Sequence, residues 1–363
     1  MNTLPRFASI LRPELAEMVA YVPHPGAYEV RLDANEAPPL LSPEAHARLA
    51  RALVPPALQR YPDPRSQELR EAIAAHAGAT PDEVLAGAGS DEVIALLLGA
   101  LDRPREGLSS ATIVTTTPTF VMYRHSARAR GIKTIEVPLD ARWDLDVGGM
   151  KRAIEFGRPN IIFVATPNNP TGGAMSEERL RAVIEAAPDA LVVIDEAYVA
   201  FAQKSAASLR GAYPNVAVLG TLSKIGFASL RVGWVVAPAE LIAEVDKVRQ
   251  PYNLSIPQQR GATFVLREMR AEIEAVKTFV VAERERIAGE LRRMGIEVTP
   301  SEANFLWIET PHPAVEVFES LAKKGVLVRS FGARGGRLSR RLRVTVGLTH
   351  ENDRLLEALA EWT

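Results

Sequence analysis

The stretch that decides the fold is VAVLGTLSKIGFASLRVG, residues 216–233. Its first part, Val216 to Leu219, is a short apolar run of the kind that forms a buried strand, and Lys224 follows just beyond it. A lysine at that point can be partly desolvated, which disfavours the charged amine and leaves a nucleophile for a carbonyl group. Ser223 and Arg231 would add the hydroxyl donor and the bidentate cation that a phosphate monoester needs. The alternative interpretation is an ordinary solvated surface lysine.

Similar apolar runs alternate with longer amphipathic stretches through the centre of the chain. Continuous β-branched runs between helical patterns are typical of strands buried on both faces of a mostly parallel sheet. The centre is therefore predicted to be α/β. The other runs of this kind are Ala111 to Thr116, Ile161 to Ala165 and Leu191 to Ile194.

The pattern changes in the last third of the chain, where a long charged helical stretch runs from Pro257 to Met294 and Gly295 is placed to end it. Shorter segments follow, which predicts a smaller α+β domain. They are strands at Asn304 to Ile308, Gly325 to Val328 and Leu342 to Val346, a helix at Ala314 to Lys324 and a last helix from Thr349. The expected division is an N-terminal arm that joins the small domain (1–35), a large domain (36–256) and a small C-terminal domain (257–363).

Composition limits the classes of function. At 363 residues and 47% hydrophobic content, the chain can bury the cores of a large and a small domain. Lys and Arg total 43 against 44 Asp and Glu, so no bulk charge would draw the protein to nucleic acid or to an anionic membrane. The lack of cysteine excludes disulfides, thiolate metal sites and a cysteine nucleophile. The first thirty residues contain neither a signal-peptide core nor a spanning helix, so we expect a soluble, cytoplasmic protein.

A second segment with chemical potential is VVIDEAY, residues 192–198. Ligands of open α/β sheets bind at the carboxyl ends of the strands, which is where Asp195 is predicted to lie. Its carboxylate could pair with a protonated ring nitrogen, and Tyr198 lies three residues further on, within reach of the same ligand. An aspartate that caps the next helix is the alternative.

Two further loops follow predicted strands. Ala165 to Gly173 is a rigid turn that presents amide side chains, although turn chemistry alone explains its composition. Gly87 to Glu92 opens the apolar helix Val93 to Leu101, and small residues at a helix start expose free N–H groups that can seat a phosphate. Neither nucleotide fingerprint, GxGxxG or GxxxxGK[ST], is matched there.

Other conspicuous residues have plainer explanations. The stretch Gly332 to Arg341 is rich in arginine and glycine but lacks interleaved aromatics, which favours a mobile, solvated loop over a nucleic-acid site. The histidines have no metal-ligand spacing, so packing or surface roles are expected and no metal site is predicted. They are His24, His46, His76, His125, His312 and His350.

Several motifs recur in a specific order: RLDANEAP (31–38), RYPD (60–63), GSDE (89–92), PTFVMY (118–123), NNPTG (168–172), DEAY (195–198), SK (223–224) and LRVTVG (342–347). Together they resemble the fold type I enzymes that use pyridoxal 5'-phosphate (PLP) and, within them, the histidinol-phosphate aminotransferase family. The resemblance runs nearly end to end. It implies a large domain with a mostly parallel sheet flanked by helices, plus a smaller α+β domain.

The resemblance also assigns roles around the cofactor ring. Lys224 would bind PLP covalently and later carry the proton between the substrate α-carbon and the cofactor. Asp195 would keep the pyridine nitrogen protonated, which makes the ring an electron sink. Tyr198 and Asn169 would hydrogen-bond its phenolic oxygen, and Phe120 would stack on the ring where many members have tyrosine.

For the cofactor phosphate, the resemblance implies the backbone amides of Ser90 and Asp91 together with the side chains of Ser223 and Arg231. Arg231 follows the lysine by seven residues, one fewer than in many members, so a tighter turn is expected. Tyr61 would reach the phosphate from a second subunit. The implied assembly is therefore a homodimer, in which Tyr252 is also expected to cross to the partner.

The substrate is inferred from arginines near the C-terminus. Arg343 matches the position that grips the acidic end of the amino donor, and Arg329 would add a second guanidinium from a neighbouring strand. With Tyr21 and Tyr252 nearby, these make a cationic site better suited to a dianionic phosphate than to one carboxylate. Asn35 belongs to the same implied set. We therefore expect L-histidinol phosphate as donor and 2-oxoglutarate as acceptor, in a ping-pong reaction.

Three alternatives stay open at the level of sequence. An aminotransferase for aromatic amino acids is the first, and a phospho-threonine decarboxylase is a more distant one. A PLP-binding regulatory domain without turnover is the third, but about thirty residues before the family match are too few for a helix-turn-helix module. The presence of Lys224, Asp195 and Tyr198 also favours catalysis. The arm sequence YVPHP (21–25), where a Pro-Gly pair is more usual, weakens inference about substrate from that segment.

Overall fold

The computed structural model describes residues 5–7, 9–20, 22, 24–55 and 57–362, with the backbone alone at 5 and 17. In these ranges, no helix is both long enough and apolar enough to cross a membrane. The strands, in chain order, are β1 (Val30–Arg31), β2 (Val84–Gly87), β3 (Thr112–Thr117), β4 (Lys133–Pro138), β5 (Ile161–Ala165), β6 (Leu191–Asp195), β7 (Val216–Thr221), β8 (Gly233–Val236), β9 (Glu297–Thr299), β10 (Phe305–Glu309), β11 (Val326–Leu327), β12 (Arg329–Ser330) and β13 (Arg341–Thr345).

A seven-stranded sheet of order β2-β8-β7-β6-β5-β3-β4 is the framework of the large domain. The strands β7, β6, β5, β3 and β4 pair in parallel with one another. Strand β8 runs antiparallel to both of its neighbours, β2 and β7. The predicted mostly parallel sheet is confirmed, and the four predicted runs coincide with β3, β5, β6 and β7. Every residue of β5 and β6 is buried, because helices cover both faces of the sheet.

The helices begin where their sequences supply caps. Ser42 accepts a hydrogen bond from the backbone of Ala45, and Ser255 forms a capping box with Gln258. The helices are α1 (Pro43–Leu53), α2 (Gln67–Ala77), α3 (Ser90–Ala100), α4 (Met122–Arg128), α5 (Val147–Gly157), α6 (Glu177–Glu185), α7 (Leu209–Ala212), α8 (Ala239–Asp246), α9 (Ile256–Glu268), α10 (Arg270–Arg293), α11 (Ala314–Lys323) and α12 (Thr349–Leu359).

The predicted helical stretch from Pro257 to Met294 is two helices, because Met269 leaves helical geometry between α9 and α10. Gly295 has a φ of 78° and ends α10 in the left-handed conformation, as predicted. The stretch therefore bends once, although neither glycine nor proline marks the break.

The C-terminal strands form a four-stranded antiparallel sheet of order β12-β13-β10-β9. The strand predicted at Gly325 to Val328 corresponds to β11, which pairs in parallel with β1 near the N-terminus. The chain enters the four-stranded sheet only after the predicted strand, with β12 at Arg329. The β1–β11 pairing attaches residues 30–31 to the C-terminal part of the chain.

The prediction of a solvated loop at Gly332 to Arg341 is wrong for Arg341, while Arg337 is exposed as predicted but has a fixed partner. The loop forms two short helical turns before β13, and Arg341 is buried. The guanidinium of Arg337 packs against the ring of Trp143, where its flat face loses less hydration than an ammonium group would. The composition of the loop suggested mobility, because Trp143, which holds Arg337, is distant in sequence and leaves no local signal.

Candidate active site

The predicted site residues lie at one edge of the large sheet. The parallel strands β5, β6 and β7 end there at Ala165, Asp195 and Thr221. Because the chain leaves all three strands at this edge, the loops that follow them come together in space. The edge therefore collects polar side chains from distant parts of the sequence.

Lys224 lies in an irregular helical turn directly after β7 and is half-buried. Its Nζ is 5.8 Å from the centre of the Tyr198 ring. The neighbouring Ser223 is buried, and its hydroxyl is 2.9 Å from that of Thr221. The amine is thus neither sealed in the core nor fully solvated, a position from which it can meet a bound carbonyl group.

Asp195 is the last residue of β6, and its side chain is buried. Its Oδ2 accepts a hydrogen bond of 2.5 Å from the hydroxyl of Tyr123, and Oδ1 accepts one of 3.0 Å from the backbone of Ala197. Burial raises the pKa of Asp195, while these two hydrogen bonds and the charge of Lys224 oppose the rise. A buried carboxylate with a raised pKa is stabilised in its ionised form by a cationic N–H partner.

Tyr198 is buried beside Asp195, with the edge of its ring against Phe305. Its oxygen accepts hydrogen bonds from the side-chain amides of Asn35 at 2.9 Å and Asn169 at 3.3 Å. Since the oxygen accepts both bonds, the proton of the hydroxyl is directed elsewhere. Tyr198 can therefore donate to a ligand in the site.

Asn35 links three segments of the chain at this point. It has a φ of 54°, in the left-handed region that asparagine enters more easily than most residues. Its backbone amide donates to Thr345 Oγ1 at 3.0 Å, and its carbonyl accepts from Asn304 Nδ2 at 3.0 Å. These bonds fix the backbone of Asn35. Its side-chain amide, which holds Tyr198, is oriented by a 3.1 Å hydrogen bond that Thr345 Oγ1 donates to Asn35 Oδ1.

The turn between β5 and α6 is held from within by Asn168, which is fully buried. Its Nδ2 donates to the carbonyl of Pro118 at 3.0 Å and to Thr171 Oγ1 at 2.8 Å, and its Oδ1 accepts from Thr119 at 2.7 Å. Asn168 therefore positions the turn, while Asn169 faces Tyr198.

The start of α3 faces the side chain of Arg231. Gly89 precedes the helix with a φ of 85°, and a side chain there would collide with the Arg231 guanidinium. Gly233 approaches the backbone of Ser90 too closely for any Cβ. Arg231 itself has a φ of 51°, and its Nη2 is 3.4 Å from the carboxylate of Asp91. The free N–H groups of the first helical turn and this guanidinium form a seat for an anion.

Arg343 and Arg329 lie on the facing strands β13 and β12. They stand directly opposite each other in the antiparallel register. Nη1 of Arg343 donates to Asn169 Oδ1 at 2.7 Å, and Nη2 donates to the carbonyl of Asp33. Arg343 is buried, whereas Arg329 is exposed. The structure thus brings Arg343 to the group around Tyr198, with Arg329 beside it.

Three further predicted residues, Phe120, Tyr61 and Tyr252, contact other aromatic rings. The ring of Phe120 is half-buried and meets Tyr123 edge to face, with centroids 5.5 Å apart. Tyr61 and Tyr252 are exposed and stack on each other at 4.6 Å. Tyr21 lies outside the described residues.

Five supporting residues had no predicted role. Tyr123 is the last residue of the PTFVMY motif, in the first turn of α4, and its contact with Asp195 has no local signal in the sequence. Asn304 and Thr345 hold Asn35, as described above. Glu92 accepts hydrogen bonds from the backbone of Ala88 at 2.5 Å and from Asn253 Nδ2 at 2.9 Å, which braces the turn before α3. Nothing local in the sequence pairs Glu92 with Asn253.

Metal ligands do not cluster in the described part of the chain, where no group of three or more His, Asp or Glu side chains could hold an ion. The polar groups at the sheet edge are instead an amine, a buried carboxylate, a phenol and guanidinium groups. Together they match the recognition of a charged organic ligand that carries an anionic group.

Comparison with known proteins identifies the family. The model of class I and II aminotransferases matches residues 28–359. A histidinol-phosphate aminotransferase from Methylibium petroleiphilum is 40% identical over 98% of this chain and 95% of its own length, and one from Paracidovorax citrulli is 39% identical over 99% and 98%. The crystal structure of histidinol-phosphate aminotransferase from Sinorhizobium meliloti in complex with pyridoxal-5'-phosphate has the same fold, with a TM-score of 0.86 at 23% identity over 99% of this chain and 98% of that one. The predicted fold type I architecture is confirmed, and the chain belongs to the class I and II aminotransferases and, within them, to the histidinol-phosphate aminotransferase family.

Proposed function

We propose that the chain is a PLP-dependent aminotransferase that takes L-histidinol phosphate as amino donor and 2-oxoglutarate as acceptor. The observation that carries this proposal is the pair Arg329 and Arg343, which face each other across two antiparallel strands next to the proposed site. Like charges at directly opposite positions destabilise a strand pair unless a counter-ion lies between them. The dianionic phosphate of the donor supplies that counter-charge.

The residues present fit PLP at both of its polar ends. Asp195 offers a buried carboxylate to a protonated ring nitrogen, and an adjacent cation would offset the rise in its pKa that burial causes. At the other end, Gly89 and Gly233 keep the space between α3 and Arg231 clear of side chains, as a phosphate requires. Ser90, Asp91 and Ser223 complete this proposed phosphate site, and PLP, when bound, supplies a ring that takes up the electron pair left at the substrate α-carbon.

Lys224 has two roles in the proposed reaction. Its amine would hold the cofactor covalently through the aldehyde group. The same amine would carry the α-proton of the substrate. Its half-buried position close to the ring of Tyr198 allows both contacts without a change of fold.

Tyr198 and Asn169 act on the phenolic oxygen of the cofactor in this proposal. Tyr198 donates its proton there, because its own oxygen already accepts bonds from Asn35 and Asn169. Phe120 covers one face of the ring. These contacts orient the reacting carbon toward Lys224 and exclude water from that side.

The amino group moves in two half-reactions. Over the two half-reactions, the amino group of histidinol phosphate is transferred to 2-oxoglutarate, so that the donor becomes imidazole-acetol phosphate and the acceptor becomes glutamate. Both substrates are anionic, so Arg343 can bind each in turn. Arg329, Asn35, Tyr21 and Tyr252 are proposed to complete the substrate site.

We also propose that the chain functions as a homodimer. Tyr61 and Tyr252 form an exposed stacked pair, so in the proposed dimer they enter the partner's site together. Exposed apolar side chains near the N-terminus and around Tyr61 would be covered at the same interface. They are Phe7, Ile10, Leu11, Leu15, Val19, Val22, Val54 and Leu58.

The division into an arm (1–35), a large domain (36–256) and a small domain (257–363) is proposed on related grounds. The β1–β11 pairing supports a connection between the arm and the small domain. One apolar core nevertheless includes Val84 and Val344, which lie on opposite sides of the proposed boundary. A cytoplasmic location is likewise a proposal, and the cysteine-free composition is compatible with a reducing compartment.

The substrate assignment is tested by the absorbance of the bound cofactor. Histidinol phosphate, phenylalanine, tyrosine and phospho-threonine are each added to the holoenzyme, and the rate of spectral change is measured against concentration. Histidinol phosphate is expected to have the highest kcat/KM. A higher value for phenylalanine would overturn the phosphate assignment and leave the cofactor chemistry in place.

A further inference from the structure

The loop Gly332 to Arg341 is anchored to the large sheet by one arginine. The guanidinium carbon of Arg337 lies 3.7 Å from the centre of the Trp143 ring. The same guanidinium donates to the backbone carbonyls of Leu139 at 2.8 Å and Asp140 at 2.9 Å. A stacked cation that also has two carbonyl acceptors is fixed in position and direction.

A chain of aromatic contacts continues from this anchor. Trp143 is buried and meets Trp307 edge to face at 5.9 Å, and Trp307 meets Phe331 in the same way at 5.0 Å. The guanidinium carbon of Arg334 lies 5.3 Å from the centre of the Phe331 ring. Arg334 thus contacts the ring of Phe331 and Arg337 contacts the ring of Trp143. These two contacts order the segment of the loop that carries Arg334.

Arg334 lines one side of a narrow cleft that also includes Phe120, a residue of the proposed site. The cleft is lined by Arg334 together with Thr119, Phe120 and residues of β3, β4 and α4. Thr119 donates a 2.7 Å hydrogen bond to Asn168, whose neighbour Asn169 accepts from Arg343. The guanidinium thus lies on the same side of the molecule as the pair of arginines on β12 and β13.

The described lining of the cleft contains two guanidinium groups, those of Arg124 and Arg334, and one carboxylate. Glu136 lies in the cleft but already pairs with Arg124, at 3.0 Å. Among the described residues, no carboxylate forms an ion pair with Arg334. Partial burial lowers the pKa of Arg334, and the positive charge of Arg124 lowers it further. Arg329 adds a weaker effect in the same direction, and only the charge of Glu136 opposes the change. A bound anion would relieve this repulsion.

We propose that Arg334 is a specificity-determining residue that contacts the phosphate monoester of the amino donor, and that Arg337 positions it by anchoring the loop. The proposal rests on the proposed function and adds a third arginine to the pair described above. Arg334 contributes to the binding of the donor phosphate and makes no contact with the reacting carbon. Its loss therefore affects KM more than kcat.

The test compares Arg334→Gln with Arg340→Gln in the holoenzyme. Arg340 lies in the same loop and has the same charge, but its side chain pairs with Glu309 instead of facing the cleft. L-histidinol phosphate and unphosphorylated L-histidinol are the donors. We expect Arg334→Gln to raise KM for the phosphorylated donor about tenfold or more, the effect of one lost charged hydrogen bond, with little change for histidinol. Arg340→Gln should match the wild type with both donors.

The possible failures are distinguishable. Equal kinetics for the two variants, or an equal loss with both donors, would overturn the role of Arg334 while the proposed function stands. A wild-type enzyme that does not use histidinol phosphate would overturn the proposed function and this inference with it.

The positioning role of Arg337 has its own test. Arg337→Met should raise KM for histidinol phosphate as Arg334→Gln does, and Arg337→Lys should restore part of the loss because it keeps a cation at the ring of Trp143. Trypsin should also cleave after Arg334 faster in Arg337→Met than in the wild type. Unchanged KM and unchanged cleavage would overturn the anchoring role.

Discussion

The hydroxyl of Tyr123 donates a 2.5 Å hydrogen bond to Oδ2 of Asp195 and so joins helix α4 to the end of strand β6. This bond favours the ionised carboxylate, against the effect of burial. Tyr123→Phe should therefore raise the pKa of Asp195 further. Because an acid with a higher pKa ionises only at higher pH, the acidic limb of the kcat/KM profile should move to higher pH.

At neutral pH we expect Tyr123→Phe to lose about tenfold in kcat/KM, the cost of a hydrogen bond to a charged group. The measurement is a pH titration of kcat/KM and of the cofactor absorbance. Tyr213→Phe is the control, since that hydroxyl donates to Glu185 at the surface. Superimposable profiles for the two variants would contradict the assigned role of Tyr123.

Lys224 is predicted to be the residue that holds the cofactor covalently. Borohydride reduction of the holoenzyme followed by peptide mass mapping should place the pyridoxyl group on Lys224, and Lys224→Ala should be both unlabelled and inactive. Lys204→Ala removes an exposed lysine from a nearby loop and should be labelled normally. A label on any other lysine would disprove the assignment.

Shared active sites are predicted for the proposed homodimer. An inactive Lys224→Ala chain mixed with a Tyr61→Ala chain should regain activity, because each heterodimer contains one site with both residues. Random exchange of equal amounts should give about a quarter of the wild-type activity. Lys224→Ala mixed with Asp195→Asn is the control, since both residues come from one chain and no heterodimer site is complete. Equal recovery in the two mixtures would argue against sharing.

An ion pair between α2 and the end of α8 predicts the response to acid. Arg70 is buried, and its Nη2 lies 3.0 Å from Asp246. Burial alone would raise the pKa of Asp246, but the hydrogen bond from Arg249 and the charge of Arg70 bring it below its usual value. The stabilisation is therefore present above the unfolded pKa and is lost as pH falls through the folded pKa.

Asp246→Asn should lower the free energy of unfolding by about 3 kcal/mol at neutral pH, because it leaves a buried guanidinium without its counter-charge. The difference from the wild type should shrink on acidification below about pH 4. Urea unfolding over a pH series measures both effects. Asp353→Asn, which breaks a half-exposed pair with Arg286, should change stability by less than about 1 kcal/mol. A constant difference across the pH series would count against the linkage.

Elements with a strong local signal were predictable from sequence. The run Ile161 to Ala165 coincides with β5 because a strand covered on both faces must be apolar throughout. Lys224 and Asp195 were predicted to lie at strand ends, where ligand-binding residues collect, and the structure places both there. The ordered motifs also made the histidinol-phosphate aminotransferase family predictable from sequence.

Features that depend on distant partners were not predictable. Tyr123 and Asp195 are 72 residues apart, and no local pattern joins them. Met269 interrupts the helical stretch although it is a good helix former, so tertiary packing overrides its propensity. Arg337 is exposed as its glycine neighbours suggest, but its contacts with Trp143 and with the carbonyl of Leu139 were not predictable, because these partners are almost 200 residues away in sequence.

The contacts of Asn35 determine when the site can form during synthesis. Asn35 leaves the ribosome early, yet Thr345, which fixes it, follows 310 residues later in β13, the last strand before α12. Until that strand is translated, the amide that holds Tyr198 has no fixed direction. A nascent chain can therefore complete the large parallel sheet well before it gains a competent cofactor site, and cofactor capture belongs to the end of translation.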